Sequence, residues 1–160
     1  MPATAKKVVS ISGKAKDAVR LLRADHKLVD ELFDQFESAR SSKKKQEIAM
    51  EICTELTIHA QIEEEIFYPA AQEALKDKTL VPEAQVEHET LKYLIGQIKD
   101  ESPESELWEA KVKVLSEYVK HHVKEEQNEM FPKVKATKLD LLALGEKLEA
   151  RKAELKAAAV

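Results

Sequence analysis

The sequence has one cysteine, three glycines, few aromatic residues and no long apolar run. The lone thiol, Cys53, excludes an internal disulfide and fits a reducing compartment. No stretch approaches the roughly 20 apolar residues of a membrane-spanning helix. Met1 to Gly13 has two lysines but no apolar run long enough for a secretory signal. A soluble cytoplasmic protein with no membrane contact is expected. Basic blocks are lacking too: the net charge is −4 and the triplet Lys43-Lys44-Lys45 stands alone. That speaks against nucleic acid as a partner and for a solvated helix start. Scarce glycine beside abundant Ala, Glu, Lys and Leu favours helix. With 160 residues, one domain can bury a sizeable core without disulfide support.

What is present is helical periodicity. Residues 1–13 read as a flexible arm. A first helix is expected from about Lys14 to Arg40, with Val19, Leu22, His26, Val29, Phe33 and Phe36 on one face. Ser41-Ser42 supplies a turn and an N-cap. A second helix runs from about Lys43 to Lys76, its inward stripe holding Ile48 or Ile52, Leu56, His59, Glu63 and Ile66 or Phe67. Pro69 should kink or interrupt it just after Phe67-Tyr68. The third helix opens at Thr79-Leu80-Val81-Pro82 and runs to about Lys99, with His88 in mid-stripe. Ser102-Pro103-Glu104 reads as the start of a fourth helix that runs to about Met130, where Pro132 should end or kink it. A last helix is expected from about Thr137 to Ala157, where Leu139, Leu142, Leu148 and Leu155 would pack on the outside. The pattern predicts an all-α fold: an antiparallel up-down-up-down four-helix bundle over residues 14–135, with an additional C-terminal helix in a tail, 136–160.

One stretch organises this pattern. His59-Ala60-Gln61-Ile62-Glu63 is followed by Phe67-Tyr68-Pro69, and His122-Val123-Lys124-Glu125-Glu126 by Met130-Phe131-Pro132, 63 residues on. Residues four apart share a helix face, so each copy sets an imidazole beside a carboxylate. Asp25-His26 and Glu87-His88 repeat at a 62-residue offset on the other two helices. Burying Glu63 and Glu126 unpaired is costly, and no Arg or Lys recurs at a matching position to neutralise them. A metal pair held by His26, His59, Glu63, His88, His122 and Glu126 answers this, because imidazole and carboxylate are the usual ligands of iron, manganese or zinc. His121 also has a glutamate four residues on, Glu125. However, His122 matches His59 in standing ten residues before a proline, so His121 is read as facing solvent.

Duller readings attach to the neighbours. Tyr68 is read as a core aromatic, with a role as ligand or hydrogen-bond donor the minor alternative. Asp25 and Glu87 are exposed helix acids or else acceptors behind the histidines. Lys92 extends to solvent or donates a hydrogen bond near the site. Cys53 lies about 240° around the helix from His59 and outside the site. Glu64 is a candidate spare ligand next to Glu63, a reading weakened by its counterpart, Gln127, which is not acidic; Trp108 and Met130 read as core.

These motifs, with Leu21-Leu22-Arg23-Ala24-Asp25-His26 leading them, resemble the hemerythrin-like, or HHE cation-binding, family over about residues 15–135. The resemblance implies two iron ions per chain with an oxo or hydroxo bridge; manganese or zinc would also suit the donors. It implies that His26 and His59 hold one ion and His88 and His122 the other, with Glu63 and Glu126 bridging. It also implies a small-molecule ligand: dioxygen, peroxide or nitric oxide. Oxygen-carrying members are similar but keep a further histidine where this chain has Lys92, and an aspartate five residues after the last histidine. A non-haem di-iron protein that binds or reacts with these small oxidants in a redox or stress response is therefore expected ahead of a reversible oxygen carrier, with peroxidase-, catalase- or oxidase-like turnover left open and a non-enzymatic iron or redox sensor acting through the arm or tail as the alternative. The protein is expected to be a monomer or a weak dimer.

Overall fold

Helix boundaries in this chain follow from its caps. The computed structural model describes residues 17–159, so the expected arm at 1–13 and the first residues of the expected first helix lie outside it. Helix α1 is Ala18–Ser38, opened by the Asp17 carboxylate, which accepts from the backbone N–H of Arg20 at 2.8 Å. Helix α2 spans 42–75 and is capped by Ser41, whose Oγ accepts from the Lys44 N–H at 3.1 Å. It ends at Lys76, held in the left-handed region at φ 56°. Helix α3 is Leu80–Asp100, with Pro82 in its first turn.

Helix α4 spans 106–135 and begins later than the Ser102-Pro103-Glu104 signal suggests. Those residues form a turn, in which the Ser105 N–H donates to the Ser102 carbonyl at 2.9 Å. Ser105 is the cap instead, and Glu106 and Glu109 supply the acids that the positive helix end favours. Helix α5 is Leu141–Ala159, starting four residues after the expected Thr137. Thr137 is occupied in the connecting turn, where its Oγ1 accepts from the Leu139 N–H at 3.2 Å, and Asp140 is the cap, its carboxylate accepting from the Ala143 N–H at 3.0 Å.

Helices α1 to α4 form the antiparallel bundle. Helix α5 lies against α1 and α2, burying Leu144 and Leu148 and leaving Leu142 exposed. The core has two parts. One holds Val29, Phe33, Phe36, Ile52, Leu56, Leu91, Ile95, Trp108, Leu115 and Val119. The other holds Leu22, Ile62, Phe67, Tyr68, Ala84, Met130, Phe131 and Leu148. The four mid-stripe histidines fall between them. Among the described residues, no helix is long and apolar enough to cross a membrane.

Pro69 and Pro132 do not interrupt their helices. Each is preceded by one wide π turn: Glu63–Phe67 in α2 and Glu126–Met130 in α4. The Tyr68 N–H donates five residues back to Glu63, and the Phe131 N–H five back to Glu126. In an unbroken α-helix, the proline ring would press on the carbonyl four residues earlier. One inserted residue widens the turn and lets the helix continue. Both insertions begin at the buried glutamates, so the prolines shape the site.

Candidate metal centre

Six side chains named from the sequence meet in the middle of the bundle. His26, His59, Glu63, His88, His122 and Glu126 are all buried, the two glutamates at 0% and 2% exposure. Their ligand atoms form two overlapping groups, His26 with His59 and His88 with His122. Each group includes both Glu63 and Glu126, and within each all atoms lie within 4.8 Å of one another. The carboxylates face both ways. Glu63 sets Oε2 3.3 Å from His59 Nε2 and Oε1 3.0 Å from His88 Nε2. Glu126 sets Oε1 3.2 Å from His26 Nε2 and Oε2 3.2 Å from His122 Nε2. Each glutamate thus offers one oxygen to each position, as a bridging carboxylate does.

Every Nε2 points inward because every Nδ1 is held from outside. His59 Nδ1 donates to Asp25 at 2.9 Å and His122 Nδ1 to Glu87 at 2.6 Å. His88 Nδ1 donates to Glu64 at 2.7 Å and His26 Nδ1 to the Gln127 amide oxygen at 2.9 Å. Each acceptor comes from the neighbouring helix in a crossed pattern: the residue before the lone histidine of α1 or α3, and the residue after the buried glutamate of α2 or α4. Such partners fix the ring and leave the inner nitrogen's lone pair for a metal. Asp25 and Glu87 are therefore not plain exposed acids, and Glu64 is not a spare ligand. Gln127, set aside as a mere mismatch, is the fourth acceptor. A further layer backs them: Lys152 of α5 on Asp25, and Lys92 on Glu64 at 2.7 Å.

The largest departure from expectation is Tyr68. Its hydroxyl lies 3.0 Å from Glu63 Oε1, 3.1 Å from His88 Nε2 and 3.4 Å from His122 Nε2, and it also donates to Glu126. It stands among the donors of the second position. Residue 68 is five after Glu63, about 140° away on a regular helix, but the π turn brings it over the same face. At the matching place in α4, Phe131 has no hydroxyl and stacks on the His26 ring, with centroids 5.9 Å apart. At this position the two halves differ by one atom, the hydroxyl oxygen.

Electrostatics bear on whether a metal fits. Burial alone would lower the His59 pKa, but the Glu63 and Asp25 carboxylates raise it to about 10. Burial would raise Glu126, yet His122 and His26 hold it well below the usual carboxylate range. Burial and the two glutamate charges push the Tyr68 phenol well above its ordinary value. At the first position, His26 Nε2, His59 Nε2, Glu63 Oε2 and Glu126 Oε1 are buried with no hydrogen-bond partner. Four orphaned donors of these types facing one another are what a cation would satisfy. The residues fit a metal pair.

Cys53 and His121 stand aside. Cys53 is buried in the core, and burial pushes its thiol up to about 11. His121 is 61% exposed.

The hemerythrin HHE cation binding domain family matches residues 17–134. The chain belongs to this family. A solved hemerythrin HHE cation binding domain-containing protein of Mycobacterium kansasii superposes with a TM-score of 0.78 at 26% identity, over 90% of each chain. A DNA nickase of Nostoc sp. is 30% identical over 115 residues, 72% of this chain but 32% of the relative. The chain spans about a third of that protein. As a member of the hemerythrin HHE family, the chain is a cation-binding protein, and its buried His and Glu groups are the candidate ligands.

Proposed function

We propose that the chain is a non-haem di-iron protein that reacts with small oxidants, peroxide foremost, in a redox or stress response. The observation that carries this reading is the pair of carboxylates presenting one oxygen to each of two histidine pairs. His26 and His59 would hold one iron, and His88 and His122 the other, with Glu63 and Glu126 spanning both. When bound, such a pair supplies two one-electron redox centres side by side and open positions for an oxygen ligand.

The remaining residues set what that pair meets. Asp25, Gln127, Glu64 and Glu87 keep the imidazoles in one tautomer and orientation. Tyr68 places a phenolic proton beside the second position, where it can be donated to an oxygen atom or be displaced as the phenolate binds. The two positions therefore differ. Behind the second stand Glu64, paired with Lys92, and the carboxylate of Glu87, with the Tyr68 phenol beside it; behind the first stand Asp25, neutralised by Lys152, and the neutral Gln127, so the second keeps one more negative charge. More negative surroundings favour the higher oxidation state at the second position. Lys92 is occupied with Glu64 and leaves no imidazole one turn beyond His88, which favours reaction over reversible carriage.

Elemental analysis of the purified protein tests the reading first, with about two irons per chain expected. Exposure of the reduced protein to hydrogen peroxide should then oxidise it faster than the double variant Glu63→Ala/His122→Ala. A metal-free protein of unchanged stability, or iron indifferent to peroxide, would refute it. One observation favours a sensor as a second reading: α5 reaches the site through Lys152 and Asp25, a route by which the metal state could alter a surface helix.

A further inference from the structure

Beside the four histidines lies a cavity of about 350 Å³. Its walls are Val29, Leu56, Leu91, Ile95, Val119 and Val123. Five of them belong to the core that contains Trp108, and Val123 packs against it. The exposed and half-buried polar lining, Thr57, Gln61, Glu64 and Lys92, comes from α2 and α3, so the cavity reaches solvent between these two helices.

Its size does not suit a diatomic molecule or hydrogen peroxide alone. Two ions and a bridging oxygen would fill roughly 90 Å³, counting each as one water's share of liquid volume, about 30 Å³. What is left exceeds the apolar cavity of about 150 Å³ that admits benzene in another protein, and lies near the lower end of the range of organic-ligand pockets. A ligand of two oxygens would touch the metals and leave the aliphatic wall without a partner. Charge narrows the choice further. The cations near the opening are already engaged: Lys92 with Glu64, Arg151 with Glu65 and Lys152 with Asp25. Among the described residues, no unpaired cation lines the cavity to receive an anionic group. The geometry suits a neutral molecule with an apolar body and an oxygen-bearing head.

We propose that this cavity binds an organic hydroperoxide, its alkyl or aryl body against Leu91, Ile95 and Val119 and its O–O group among the imidazoles. This rests on the peroxide reading above and names its substrate class. The O–O bond breaks on taking up two electrons and two protons, and leaves an alcohol and water. The two electrons would be supplied by the reduced iron pair that His26, His59, His88 and His122 would hold, one from each ion. The phenol of Tyr68, 3.1 Å from the Nε2 of the cavity-lining His88, would supply one of the protons, and water the other. A single turnover needs no further reductant.

Two measurements on the full-length protein test this. The first is calorimetric titration of the metal-loaded protein with cumyl alcohol, an unreactive product analogue. Saturable binding is expected, weakened at least tenfold in Leu91→Phe and, independently, in Val119→Phe, whose side chains would fill the cavity. Circular dichroism and metal content establish that each variant is folded and loaded. The second mixes the reduced protein with cumene hydroperoxide or hydrogen peroxide and follows oxidation in one turnover. The organic peroxide is expected to react at least tenfold faster. If hydrogen peroxide reacts while cumyl alcohol does not bind and cumene hydroperoxide is no faster, the inference fails and the peroxide reading stands. If neither peroxide oxidises the protein, both fail, even where the alcohol binds.

Discussion

Tyr68 is where one atom separates the two halves of the duplication. Its hydroxyl is the donor that the buried Glu63 and Glu126 oxygens share, and Phe131 shows that the fold accepts the same ring without it. Tyr68→Phe should therefore fold. Without metal, it should be less stable by about 1–3 kcal/mol, because buried carboxylate oxygens lose their partner. With iron bound, it should keep both ions but change the visible absorption and slow peroxide oxidation. Unchanged spectra and rates would show that the phenol has no part in the centre. The outer acceptors make a second prediction. Asp25→Ala and Glu87→Ala leave every proposed ligand in place yet free an imidazole to turn, and each should weaken metal binding about 10- to 100-fold in a competition titration with a chelator. Asp25 and Glu87 were visible in the sequence as acids beside histidines. Their partners were not, since each bonds the histidine of the neighbouring helix, and only packing shows that.

At the scale of elements, the π turns account for what the sequence pattern could and could not reveal. A period of 3.6 residues places His59 over Glu63 and His122 over Glu126. It fails across Glu63–Phe67, where one added residue carries Tyr68 onto the same face. The prolines at 69 and 132 mark the place but not the form of the distortion, because a kink, a break and a widened turn all relieve the same clash. Helix α5 was legible as a helix and illegible as a partner of the site. Leu148 is fully buried in it, so Leu148→Ala should cost about 2–5 kcal/mol in a denaturant titration. Lys152 lies one turn farther along, against Asp25. Lys152→Ala would leave that buried carboxylate with His59 alone, and the expected signature is weaker metal retention with helix content intact.

For the whole molecule, metal and protons compete for one space. The Glu63 and Asp25 carboxylates let His59 hold its proton up to about pH 10 in the metal-free fold, against an ordinary value of 6.5. A group whose folded pKa is raised contributes stability that is complete below the unfolded value and is lost as pH climbs towards the folded one. The metal-free protein should therefore lose thermal stability between about pH 6.5 and pH 10. Metal binding must displace this proton, so affinity should strengthen over the same interval. Differential scanning calorimetry of both forms across that range checks the sign. At a hundredfold excess over Kd, one bound ion adds about 2.7 kcal/mol, which for a chain of this size raises Tm by roughly 5–10 °C. By itself the sequence determined the helical fold and the six buried ligand candidates, because periodicity and a repeated spacing are one-dimensional signals that a helix converts directly into a shared face. Only the tertiary structure decided the crossed acceptors, the place of Tyr68, the reach of α5 and the cavity. Each of these depends on which helix lies beside which, and at what rotation, and no spacing along the chain contains that.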